Sequence, residues 1–300
     1  MHPLRHLPLL AAFAVGATFL AGCDGTSSPD DEQPLAAFSP SALAVVRIDE
    51  DAGPLAAAFV EGGDSLFARL RRATAAAGIA SSQVGAVYAA PGAGGTFDAV
   101  VEARFDAATA GARLEAAGFT RAAGAVAVYR APAASGIGAL AFVDGRAFLS
   151  ATAASVEAML DRHAGRAASL GDDAVAVRLV ARLLDRPVGV VTAGPDALAG
   201  TFADSLLGDA GALLAVLPIA RTAVALDEPQ TGSTRTGTLW LAPRAGTSAA
   251  TLASTLSATV ALARLQPGLD PATVAFLAAL AFTPDGPDVR TTFRVNTGNF

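Results

Sequence analysis

The stretch Thr96–Ala117, TFDAVVEARFDAATAGARLEAA, predicts a strand that leads directly into a helix. Its first half alternates apolar with charged residues at the period of two that is typical of a half-buried strand: Val101, Ala103 and Phe105 against Glu102 and Arg104. Asp106 is a residue type that caps helix starts, and Gly118 is typical of a helix end. The stretch therefore predicts a strand, a short turn and an Ala-rich helix.

A second stretch, Thr234–Thr255, repeats this order as TRTGTLWLAPRAGTSAATLAST. The dipeptides Asp144-Gly145 and Asp285-Gly286 both favour tight hairpin turns. Runs of strands with helices after them favour antiparallel sheets covered on one face. We therefore expect an α+β protein with two similar units of antiparallel sheet covered by helices, the first over residues 42–185 and the second over residues 186–300.

Periodicity and end signals place the individual elements of these units. Helices are expected near residues 65–77, 107–117, 153–163, 196–207 and 248–264, and strands near residues 84–89, 98–105, 187–194, 219–226 and 236–242. The second unit is expected to end in a hairpin without a closing helix.

The first 22 residues indicate a targeting segment rather than part of the fold. Arg5 precedes a run without charged residues, Leu7–Leu20, which is followed by the small residues Ala21 and Gly22. A basic region, a short apolar region and a small-residue cleavage site form an export signal, and this apolar run is shorter than the ~20 residues of a spanning helix. Residues 1–22 are therefore predicted to be a signal peptide.

Cysteine occurs once in the chain, directly after this segment, as Leu20-Ala21-Gly22-Cys23. The pattern resembles the lipobox of bacterial lipoproteins. The resemblance implies cleavage before Cys23, acylation of its thiol and attachment to a membrane through the acyl chains. It implies a cell-envelope location on the periplasmic or cell-surface side.

Residues 23–41 are predicted to be the lipidated cysteine and a flexible tether. The stretch is rich in Asp, Ser, Pro and Gly, a composition that buries little apolar surface. A chain that starts at Ser41 is accordingly expected to be as stable as the native protein.

Composition excludes several classes of function. The formal net charge of −6 argues against nucleic acid as a partner. All 21 basic residues are arginines, and the absence of lysine removes the phosphate-loop lysine, the Schiff base and the lysine general base. With one cysteine, an internal disulfide is impossible.

No catalytic residue and no metal site is predicted. His163 is the single histidine after the signal peptide, and we interpret it as a residue at the end of a helix, where a positive charge is favourable. A serine hydrolase needs a histidine base, and zinc needs three or four ligands. The run Asp49-Glu50-Asp51 lacks the spacing of a calcium loop, and Pro91–Gly95, PGAGG, lacks the lysine of a phosphate loop. We therefore expect a protein that is not an enzyme and has no cofactor.

The chain also resembles a group of bacterial envelope lipoproteins that carry a duplicated domain of unknown function. The features in common are the Asp144-Gly145 hairpin, the helix ending at His163 and the stretch Leu170–Asp173 between the halves. We expect a lipid-anchored, non-catalytic interaction or scaffold protein that docks an envelope protein. The alternative is a tethered carrier of a lipid or another hydrophobic ligand in an apolar cavity.

Overall fold

The computed structural model of the chain describes residues 34–42, 44–49, 66–92, 96–133, 136–192, 217–227, 234–269 and 271–296. Contacts divide the chain between Val177 and Arg178. We call the described residues up to Val177 the N-terminal unit and those from Arg178 onward the C-terminal unit. The sequence placed the boundary later, after residue 185.

The described part of the N-terminal unit contains seven strands, three α-helices and three short 3-10 turns. The strands are β1 (Ala44–Asp49), β2 (Val84–Pro91), β3 (Phe97–Ala103), β4 (Thr120–Ala122), β5 (Val128–Arg130), β6 (Ala139–Val143) and β7 (Arg146–Ser150). The helices are α1 (Leu66–Ala76), α2 (Ala107–Ala116) and α3 (Ala153–His163). The 3-10 turns are η1 (Pro34–Ala37), η2 (Ser81–Gln83) and η3 (Leu170–Asp172).

The strands of this unit lie in the order β1-β2-β3-β7-β6-β5-β4, and every pair is antiparallel. The predicted Asp144-Gly145 turn joins β6 to β7, and both residues have positive φ, 48° and 73°. Two consecutive positive φ values characterise the type I′ turn, which matches the twist of a hairpin. Between β3 and β7 the chain forms α2 and three further strands, so this central pairing joins segments that are distant in sequence.

Helix α2 begins and ends where the sequence predicted. The Asp106 side chain accepts a hydrogen bond from the backbone N–H of Thr109, which satisfies one of the free donors at the helix start. At the other end Gly118 has a φ of 88°. Gly111 faces Tyr129 of β5 so closely that a Cβ would lie 2.1 Å from the tyrosine hydroxyl. Glycine at position 111 therefore lets the helix pack directly against the ring.

The described part of the C-terminal unit contains five strands and two α-helices, and helix α4 (Ala174–Ala181) contains the point of division. The strands are β8 (Val188–Thr192), β9 (Ile219–Leu226), β10 (Thr234–Pro243), β11 (Thr283–Asp285) and β12 (Asp288–Asn296). The helices are α5 (Ala249–Ala263) and α6 (Pro271–Ala279). The strand order is β8-β9-β10-β12-β11, again with antiparallel pairs throughout.

Three arginines spaced by four residues, in α4 and the turn after it, pair with aspartates of this unit: Arg178 with Asp288, Arg182 with Asp285 and Arg186 with Asp227. The Asp288 side chain is fully buried and accepts two hydrogen bonds from Arg178, at 3.1 and 2.8 Å. A buried carboxylate is tolerated only when it is paired in this way. These ion pairs therefore hold the segment that begins at Arg178 against the sheet.

The structure confirms the α+β class in its coarse form, because helices accompany antiparallel sheets in both units. That the two units are similar to each other stays a prediction. Helices α4 and α6 were not predicted; α6 lies between α5 and the final hairpin, and the predicted absence of a helix after that hairpin falls partly on residues 297–300, outside the described residues. The helix predicted near residues 196–207 lies outside the described residues. None of the described helices combines the length and apolar character needed to span a membrane.

Candidate functional site

The predicted lipidation site, Cys23, and the cleavage motif Leu20-Ala21-Gly22 lie outside the described residues. The nearest described segment is Pro34–Phe38, which we call the N-terminal clamp. Leu35, Ala37 and Phe38 have no exposed surface. The predicted flexible tether over residues 23–41 is therefore wrong for this part, because an apolar PLAAF sequence at its end is buried in the folded unit.

Two hydrogen bonds fix the backbone of the N-terminal clamp. The Arg162 guanidinium donates to the carbonyl of Ala37 at 2.6 Å, and the backbone N–H of Leu170 donates to the carbonyl of Phe38 at 2.9 Å. Helix α3 supplies the first donor and η3 the second, so the clamp is held from two sides. Both donors lie in segments that the sequence indicated as shared with the envelope lipoproteins. Arg162 is near the end of the helix that finishes at His163, and Leu170 begins the Leu170–Asp173 stretch.

A first cleft, about 420 Å³ in volume, lies beside the clamp. Its lining is mainly polar: Arg162, His163, Arg166, Ser169 and Asp172 are among the residues that form it. Arg166 pairs with Asp161 at 2.6 Å, and the backbone N–H of Ser169 donates to Asp172 at 2.7 Å. These groups are thus engaged in holding the segment between α3 and η3.

His163 is the last residue of α3, as predicted, and its ring lies 5.0 Å from the ring of Phe148. The tilted ring contact and the position at a helix C-terminus together account for a histidine here. We expect His163→Ala to alter stability by at most about 1 kcal/mol, the size of a helix-end charge interaction.

A second cleft of about 390 Å³ is rich in hydroxyl groups. Ser150 Oγ lies 2.8 Å from the Asp98 carboxylate and 2.9 Å from the Phe97 carbonyl. The described residues around this cleft also include Ser39, Ser41, Thr96, Thr152 and Ser155, with no histidine among them. A serine beside a carboxylate lacks the base that would take its proton during attack. The arrangement therefore indicates a hydrogen-bonded strand end rather than an activated nucleophile.

Asp49, the first of the three consecutive carboxylates, forms an ion pair with Arg47 at 2.6 Å; Glu50 and Asp51 lie outside the described residues. Arg47 is buried and also donates to the Tyr88 hydroxyl at 3.3 Å. Burial by itself lowers the pKa of the Arg47 guanidinium, but the interactions with Tyr88 and Asp49 outweigh it and raise the pKa. Asp49 thus has a structural role beside a permanent cation.

Within the described ranges no three His, Cys, Asp or Glu side chains come together as a metal site.

The Pro91–Gly95 turn is described only in part: Pro91 ends β2, and Gly92 donates its N–H to the Thr96 carbonyl at 2.8 Å. Trp240 and Leu241, neighbours in β10, are both buried. Two features of the described residues were not predicted from the sequence: the buried N-terminal clamp and the exposed leucines near the end of α5. An apolar PLAAF run after a polar stretch is the signal for the first.

No family model and no curated protein matches the chain. Two solved crystal forms of TP0453 are similar to it in structure. Form III has 11% sequence identity and a TM-score of 0.46, and the match covers 88% of this chain and 94% of that chain. Form I has 12% identity and a TM-score of 0.46, with coverage of 88% and 93%. A likeness of this size assigns neither a family nor an activity.

Proposed function

We propose that this chain is a lipid-anchored extracytoplasmic protein of the cell envelope that acts by docking, as an interaction or scaffold protein, and not by catalysis. Cys23 carries the acyl chains in this proposal, and Leu20-Ala21-Gly22 forms the cleavage motif before it. Because a single acyl chain binds a bilayer only marginally, stable attachment requires two or three acyl chains on the protein.

The observation that carries the proposal is the burial of the N-terminal clamp. Ten residues, 24–33, separate Cys23 from Pro34, the first described residue of the N-terminal unit. A flexible segment of ten residues has a root-mean-square span of about 16–19 Å. A lipidated Cys23 would therefore hold the N-terminal unit close to the bilayer surface. Hydrogen bonds from α3 and η3 fix the N-terminal clamp, the described segment that follows the tether. That geometry suits a protein that acts on partners at the membrane.

The described clefts favour docking over the carrier alternative. A carrier of an acyl chain needs an enclosed, mainly apolar cavity. The first cleft is lined by arginines, a histidine and an aspartate, whereas the second mixes serines and threonines with apolar residues such as Pro91 and Phe97. The mainly polar first cleft, which lies beside the clamp, supports docking over an acyl carrier.

We also infer that the two units arose by duplication. In each unit a strand pairs with antiparallel neighbours on both sides and is followed by a side-chain-capped helix: β3 with α2 capped by Asp106, and β10 with α5 capped by Ser248. These are the two stretches that the sequence analysis aligned. The common order and capping support a single ancestral unit.

Labelled-palmitate incorporation in cells tests the anchor. We expect the full chain to take up label and to fractionate with membranes. The Cys23→Ser chain should take up none and should migrate as a larger precursor, because cleavage follows lipidation. A matched control, Ser27→Ala in the same tether, should keep both label and size. Absence of label in the unaltered chain would refute the proposal.

A further inference from the structure

Helices α5 and α6 and the turn between them form a surface that we call the apolar helix pair. From Thr247 to Phe282 the sequence contains two charged residues, Arg264 and Asp270. Neither helix has an acidic residue in its first turn or a basic residue in its last. Helix α6 is apolar apart from Thr273, and the polar residues of α5 are uncharged serines and threonines. A helix that is apolar on all sides is normally buried in a core or in a membrane. The pair is therefore unusual on the surface of an otherwise charged protein.

The two halves of α5 have different surroundings. Leu252, Ala253 and Leu256, in the first half, pack with buried residues of β9, β10 and β12. In the second half, Ala263 packs with Leu277 of α6, and the contact between the helices is completed by half-buried side chains of Val260, Leu269, Phe276 and Leu280. The sheet thus anchors the start of α5, whereas the described residues that pack on its end belong to α6 and the segments flanking it.

Two large apolar side chains of the described residues are exposed, and both lie at this end of the pair. Leu262 is 63% exposed and Leu265 is 78% exposed. Exposing a leucine instead of burying it costs about 1.5–3 kcal/mol. Leu262 and Leu265, with the exposed Arg264 between them in sequence, indicate a surface at the tip of the helix pair that is covered when the protein functions.

Three of the five hydroxyl side chains of α5 are satisfied within the helix. The hydroxyls of Thr255, Ser257 and Thr259 each donate at 2.9 Å to the carbonyl four residues earlier. Such bonds leave the side chains needing no partner from solvent. This is the arrangement required where the surroundings cannot form hydrogen bonds, as in the acyl region of a bilayer.

We propose that the apolar helix pair inserts its tip, Leu262 and Leu265, into the interfacial region of a lipid bilayer. A protein partner fits the surface less well, because protein interfaces are enriched in aromatic residues and methionine, whereas the exposed large apolar side chains of the described residues are both leucines. The near absence of charge suits a zwitterionic lipid surface, and helix α5 with 15 residues is too short to span the bilayer. The inference rests on the proposed function only in that an acylated Cys23 would bring a bilayer within reach.

Vesicle flotation of an unlipidated chain tests the inference separately from the anchor. The chain begins at residue 23 and carries Cys23→Ser, and the probes are vesicles of phosphatidylcholine alone and of phosphatidylcholine with phosphatidylglycerol. We expect binding to both vesicle types with little change between low and high salt. The double variant Leu262→Gln with Leu265→Gln should bind about tenfold more weakly or worse. The matched control, Ala112→Gln with Ala116→Gln on the exposed side of α2, should bind like the parent chain.

A fluorescent label gives a second reading that does not depend on overall affinity. Because Cys23 is the single cysteine, the Cys23→Ser chain accepts a thiol dye at Leu265→Cys or, as control, at Ala116→Cys. On vesicle addition the dye at position 265 should shift to the blue and be quenched by nitroxide lipids, and the dye at 116 should do neither. Thermal melts identify any variant that fails to fold.

Three results would overturn the proposal. The first is that the parent chain fails to float with either vesicle type. The second is that the leucine double variant binds vesicles as tightly as the parent chain. The third is that the parent chain forms a concentration-dependent dimer, which the double variant abolishes and which vesicles do not affect. The last would identify a second copy of the chain as the occupant. Since none of these measurements involves acylation, their failure leaves the palmitate test unaffected.

Discussion

Phe38→Ala is the substitution that most directly tests the N-terminal clamp. The ring has no exposed surface, and its backbone carbonyl keeps the hydrogen bond from Leu170 in the variant, so the change acts on packing. Removing a buried phenylalanine side chain costs about 3–5 kcal/mol through lost burial and the cavity left behind. Whole domains are stable by only about 5–15 kcal/mol. One residue within the predicted tether, residues 23–41, should therefore account for a large part of the stability of the N-terminal unit.

Thermal and urea unfolding of the unlipidated chain measure this loss. At about 2–4 °C per kcal/mol for a domain of 150–250 residues, Tm should fall by about 6–20 °C. Phe105→Ala is the matched control, because it removes the same atoms from a half-buried ring and should lower Tm less. Hydrogen exchange at the Leu170 amide should also be faster in the Phe38 variant than in the control, because the destabilised clamp opens more often although its hydrogen bond is retained in the folded state.

Truncation completes the test. A chain that starts at Pro34 retains the clamp, whereas one that starts at Ser39 loses Leu35, Phe38 and the carbonyls bonded by Arg162 and Leu170. We expect the first to melt with the full body and the second to melt far lower or fail to fold. Equal Tm values for the two chains, together with an unchanged Phe38→Ala variant, would refute the clamp and restore the tether to residue 41.

Two further predictions concern charged groups. Arg178→Met keeps the aliphatic part of the side chain but leaves the buried Asp288 carboxylate without its bidentate partner. The free energy of unfolding measured in urea should fall by about 3–5 kcal/mol. The double variant with Asp288→Asn should recover part of this loss, and fully additive losses would contradict the pairing. Hydrogen bonds to Asp106 from the Thr109 hydroxyl and then the Thr109 N–H lower the pKa of its carboxyl. Because the pKa of Asp106 is lower in the folded state, its carboxylate stabilises that state at pH values above the unfolded-state pKa of about 3.9. This stabilisation is lost as the pH falls through the folded-state pKa. Carboxyl-carbon NMR titration should show the Asp106 pKa rising in Thr109→Val, and an unmoved pKa would exclude the hydroxyl as its cause.

Local signals in the sequence were sufficient for the elements that such signals control. Helix α3 spans the predicted residues 153–163, because Thr152 caps its start and Val156 and Met159 form its buried stripe. Strand β9 likewise matches the prediction at residues 219–226. The Asp144-Gly145 turn requires positive φ at both positions, and few residue pairs adopt that geometry readily.

The unpredicted elements are those whose local signals are weak. PATVAFLAA, the sequence of α6, is apolar throughout and has no helical stripe, so periodicity could not identify it. In α4, eight residues are too few for a clear pattern. Likewise, the short PLAAF run at the clamp follows a polar segment, and composition alone assigned it to the tether.

The sequence by itself determined the α+β class, most strand and helix positions and the exclusion of lysine chemistry, because caps, turns and alternating burial act between residues that are close along the chain. Only the tertiary structure decided that β3 pairs with β7, that Arg178 reaches Asp288 and that Phe38 is buried beside Leu170. It also decided that Leu262 remains exposed while Leu256, in the same helix, is buried. Each of these depends on contacts between segments far apart in sequence, and the free energy of such contacts is set by the surfaces that meet, which no short stretch of residues contains.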